Sequence, residues 1–91
     1  MARNSKMEIK KFNGKRLEFW KLKMEDLLVD RDQWIALDSG TAPTGTSADD
    51  WKKLDRKAKS IIRLCLSDLA LLNVSKEATT KDLWDKLGKL Y

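Results

Sequence analysis

At 91 residues the chain has room for one small domain and too little for two separate cores. It carries 19 Lys and Arg against 14 Asp and Glu, a net charge of +5, with one cysteine and no histidine. That inventory excludes an intrachain disulfide, a Cys/His zinc site and histidine-dependent catalysis.

The first eight residues are polar and basic and are expected to be a flexible N-terminus, followed by a domain over 9–91. Met7 and Ile9 alternate with charged residues, as in a short extended segment. Phe12-Asn13-Gly14 then predicts a turn, because Asn and Gly tolerate positive φ. From Lys15 to Val29, Leu17, Trp20, Met24, Leu27 and Leu28 recur every three or four residues, the spacing of one helical stripe. Trp34, Ile35 and Leu37 predict one further short turn of helix.

Asp38 to Ala48 is rich in Gly, Pro, Ser and Thr and reads as a mobile loop. Ser47 is a good N-cap for the next helix, and Asp49 and Asp50 suit its first turn. Trp51, Leu54, Ala58, Ile61, Ile62, Cys65 and Leu66 keep helical spacing, so this helix is expected from Ala48 to Leu66. Cys65 falls on the apolar stripe as a small buried hydrophobe. Ser67 can cap a short apolar helix through Leu69, Leu71, Leu72 and Val74. Thr79 and Asp82 resemble a capping box for a last helix carrying Leu83, Trp84, Leu87, Leu90 and Tyr91. That stripe stops without a C-cap, the expectation for a domain truncated at its C-terminal end. Strand signals are nearly lacking, so the fold class is all-α, a bundle of roughly four to five short helices.

Some residues invite a chemical reading. Asp38-Ser39-Gly40 matches the active-site triplet of aspartic proteases, but helical periodicity on both sides does not fit that β-rich fold. Asp30/Asp32 and Asp49/Asp50 serve more simply as helix-end residues than as metal ligands. No catalytic residue, metal site or cofactor is assigned. The basic face of Lys52, Lys53, Arg56, Lys57 and Lys59 lacks interleaved aromatics for base stacking. No apolar run approaches the roughly 20 residues of a membrane span, and there is no signal peptide, so a cytoplasmic or nuclear setting is expected.

Three blocks carry a family resemblance. Phe12-Asn13-Gly14, Leu17, Trp20-Lys21, Met24 and Leu28 form the first. Ala58, Ile61 and Ile62, ending in Leu66-Ser67-Asp68, form the second. Thr79-Thr80-Lys81-Asp82-Leu83-Trp84-Asp85-Lys86-Leu87, ending at Leu90-Tyr91, forms the third. In this order they resemble the start of the capsid region in the Gag polyprotein of plant copia-type LTR retrotransposons. The likeness departs at Leu17, where that family often has an aromatic residue, and at Gly88, where it often has Glu. It implies a helical capsid lobe that self-associates into the shell of virus-like particles around the element's RNA. It also implies that Phe12, Trp20, Met24, Ile61, Leu66, Leu83 and Trp84 are packing residues; helical spacing adds Leu28, Trp51, Ile62 and Leu87 to the fold determinants. The family's Cys/His zinc knuckle has no counterpart here.

The expected partner is therefore a second copy, meeting through Trp34, Leu37, Leu87, Leu90 and Tyr91 as candidate interface residues. A host-adopted Gag fragment acting as a protein-binding adaptor, with Trp34, Trp51 or Leu37 lining an open groove, is the alternative. Direct RNA contact through Lys10, Lys11, Lys52, Lys53, Arg56 and Lys57 is the third reading.

Overall fold

The computed structural model describes residues 9–38 and 41–91. Five helices follow in order: α1 (Leu17–Asp30), α2 (Ile35–Asp38), α3 (Ala48–Leu64), α4 (Asp68–Val74) and α5 (Thr80–Leu90). The expected N-terminal tail over 1–8 lies outside the described residues, as do Ser39 and Gly40 of the protease-like triplet.

Local chemistry sets where three of these helices begin. The Ser47 hydroxyl accepts from the Asp50 N–H at 3.1 Å, Ser67 from Ala70 at 3.4 Å, and Thr79 from Asp82 at 3.1 Å. Each satisfies an amide that the first helical turn leaves without a partner. α1 starts later than expected, at Leu17, because Arg16 adopts the left-handed conformation (φ 60°, ψ 50°). At its other end the Arg31 N–H donates to Leu27 O, and the chain reverses through Asp32 at φ 57°.

α3 stops at Leu64, two residues short of the expected Leu66. A non-local contact explains this. Phe12 N–H donates to the Cys65 carbonyl at 2.9 Å, and Ser67 N–H donates to the Phe12 carbonyl at 2.8 Å. The pair forms an isolated parallel bridge between Phe12 and Leu66, which draws the chain out of the helix. The Trp20 indole N–H also donates to the Cys65 carbonyl, at 3.1 Å. One freed carbonyl at the end of α3 is thus satisfied from two distant parts of the chain.

Phe12, Met24, Leu28, Ile62, Leu66, Val74, Leu83 and Leu87 form the centre of the core, all nearly inaccessible. Trp20 and Trp84 are buried beside them with centroids 5.7 Å apart, and Phe12 sits 5.4 Å from Trp20. Trp51 and Ile61 are half-buried and pack against the core from α3. Thr80, a buried polar residue, locks α5 to α3: its N–H donates to Asp55 Oδ1 and its hydroxyl to the Asp55 carbonyl at 2.7 Å.

Candidate interaction surfaces

Of the five expected interface residues, the structure removes two. Leu87 is 0% exposed and Leu37 is 6% exposed, so both belong to the core and not to a contact surface. Leu87 is covered because α5 packs against α2, α3 and α4, which hides Leu83, Trp84 and Leu87 from solvent. Trp34, Leu90 and Tyr91 do reach the surface. Tyr91 is held there: its ring meets Phe12 edge-on at 5.0 Å, and its hydroxyl accepts from Asn73 Nδ2 at 2.9 Å. Gly14, at φ +98°, lies beneath the ring, where an added Cβ would come within 3.4 Å of it.

The larger apolar exposures fall elsewhere. α4 turns Ala70 and Val74 inward, four residues apart on one face. Its Leu69 and Leu72, three apart on another face, are each 69% exposed, and Leu64 at the end of α3 is 73% exposed. α1 carries a second outward stripe of Phe19, Leu22 and Val29. For α1 the spacing of three and seven was a visible signal. For α4 the run Asp68-Leu69-Ala70-Leu71-Leu72-Asn73-Val74 is apolar almost throughout, so periodicity cannot separate its faces.

The basic residues divide into two groups. Lys52, Lys53, Arg56 and Lys57 are solvated along α3. Lys59 and Arg63 of the same helix are engaged structurally, donating to the carbonyls of Ala78 (2.8 Å) and Ser75 (3.1 Å) in the α4–α5 connection. Lys10 and Lys11 instead border an open groove of about 520 Å³ between the N-terminal segment and the start of α1. Lys15, Arg16 and Lys23 complete its basic rim, and Phe12, Phe19 and Trp20 form apolar wall.

Two titratable groups feel the packing. Burial lowers the Lys21 pKa, while nearby Asp85 and Glu25 pull it back upward. Its ammonium lies 4.7 Å from the centre of the Trp84 ring, a cation–π placement. Burial raises the Cys65 thiol, with Lys11 and Arg31 opposing. Asp38, Asp49 and Asp50 are exposed. No described helix is long and apolar enough to cross a membrane.

Comparison with known proteins adds a family context. A family model described as the gag-polypeptide of LTR copia-type matches residues 24–91. The chain is 39% identical over 88 residues to the "Retrovirus-related Pol polyprotein from transposon TNT 1-94" of Nicotiana tabacum. That alignment covers 94% of this chain and 7% of the tobacco polyprotein, so the chain spans a small part of that relative. No solved structure matches.

Proposed function

The chain belongs to the gag-polypeptide family of LTR copia-type elements, and from that membership we propose that it is a structural building block that self-associates into the element's protein shell. The reading assigns it protein–protein contact rather than catalysis. One observation supports it above others: Leu69 and Leu72 stand out from a helix whose inward face is already satisfied by Ala70 and Val74. Exposed apolar side chains that adjoin in a patch, rather than lying scattered singly, mark interaction surfaces. A second copy is the occupant that a shell requires, since a shell is made by repeating one contact.

Sedimentation across a concentration series tests this. The parent chain is expected to gain mass with concentration. The double substitution Leu69→Asp/Leu72→Asp is expected to keep its helical circular dichroism and sediment as a monomer. A parent chain that stays monomeric at millimolar concentration overturns the proposal. For the adaptor reading, Leu37 is buried and cannot line an open groove, whereas Trp34 is exposed and Trp51 half-buried.

A further inference from the structure

We propose that the groove between the N-terminal segment and α1 binds single-stranded nucleic acid, with its lysines on the phosphates and Phe19 as a stacking surface. This goes beyond self-association and does not depend on it. Lys10, Lys11, Lys15, Arg16 and Lys23 are gathered on one groove, and none of its lining residues is acidic. These cations are solvent-exposed, and among the described residues no hydrogen bond or ion pair occupies the lysine ammonium groups at the rim. Like charges crowded this way repel one another, and a phosphodiester chain relieves that repulsion while releasing its own counterions.

An aromatic face distinguishes this surface from the basic face of α3. Phe19 is 52% exposed within the groove, and the Arg16 guanidinium carbon lies 4.4 Å from its ring centre. The guanidinium lies over one face of the ring, so an unstacked base is received on the outer face of that Arg16–Phe19 stack, a planar cation backed by an aromatic ring. In a duplex the bases are stacked away and Phe19 would have nothing to meet, so the geometry favours a single strand. The groove volume of about 520 Å³ is within the range of ligand-binding clefts. α3 offers charge without a platform: Lys52, Lys53, Arg56 and Lys57 have no exposed ring among them. The expected nucleic-acid contacts therefore narrow to Lys10 and Lys11, joined by Lys15, Arg16 and Lys23.

The test is fluorescence anisotropy of a labelled 20-nucleotide oligouridylate with the 91-residue chain, from low to physiological salt. Binding is expected to weaken with salt at a log–log slope of about −3.5, the value for five phosphate contacts on a single strand. Replacing Lys10, Lys11, Lys15 and Lys23 by Ala is expected to cost tenfold or more in affinity and flatten that slope. The matched replacement of Lys52, Lys53, Arg56 and Lys57 by Ala removes the same charge and is expected to cost less than threefold. Phe19→Ala is expected to weaken binding about fivefold with the slope unchanged. Circular dichroism confirms that each variant is folded. Equal losses from the two quadruple variants overturn the proposal, as does undetectable binding at low salt. Polyglutamate or anionic vesicles competing as well as the oligonucleotide, with no effect of Phe19→Ala, also overturn it.

Discussion

The carbonyl of Cys65 is where three parts of the chain meet. It ends α3, and it accepts from both the Phe12 amide and the Trp20 indole. Replacing Trp20 with Phe keeps an aromatic ring and removes the indole donor. The expected cost is about 1–3 kcal/mol, combining a lost hydrogen bond with lost volume. Trp20→Ala should cost about 3–5 kcal/mol, a large share of the about 5–15 kcal/mol typical of a domain. Urea denaturation measures both. The Cys65 thiol gives a pH test. Its pKa is raised in the folded chain, so folding favours the protonated form. Its contribution to stability is complete below the ordinary thiol value of 9.0 and is lost as pH rises through the raised value. A disulfide reagent at pH 8 should modify Cys65 more slowly in the native chain than in urea, because thiolate is the attacking species.

At the level of helices, beginnings were more legible than faces. Ser47, Ser67 and Thr79 were readable as caps because capping is settled within about four residues of sequence. The register of α3 was readable from Ala58 and Ile62, but its end was not, since Phe12 pairs with Leu66 from more than fifty residues away. Leu37 and Leu87 were expected at the surface because apolar spacing says which residues share a stripe, not what covers it. Thr80 was recognisable as part of a helix start, yet its bonds to Asp55 depend on how α5 lies on α3. Thr80→Val keeps the shape and removes the hydroxyl, with an expected loss of about 1–2 kcal/mol. Thr79→Ala should cost about 1 kcal/mol and act on the end of α5 itself. Hydrogen exchange separates them: Thr79→Ala frays the first turn of α5, whereas Thr80→Val loosens the amides of α3 as well.

The described residues form a flat body, 38 × 38 × 18 Å, with a radius of gyration of 13.3 Å. A rounder chain of this length would have about 12 Å. A thin shape leaves little material away from the single core cluster, so no part can unfold alone at low cost. Urea unfolding followed by tryptophan fluorescence and by far-ultraviolet circular dichroism should therefore give superimposable curves. Gly14→Ala tests the rim of that cluster beside Tyr91. Its positive φ and the nearby Tyr91 ring both oppose a methyl group, and an apparent loss of about 1–2 kcal/mol is expected from the same curves.

The edge-on stacking of Tyr91 against Phe12 has a topological meaning. It brings the first core residue and the last residue of the chain to one corner of the molecule. A circularly permuted version, with a short glycine bridge sewn from Tyr91 back to Ile9 and new ends cut in the segment between Pro43 and Thr46, should fold with the same helices. Sequences spliced onto either side of 9–91 would leave from neighbouring points, like two cords passing through one eyelet.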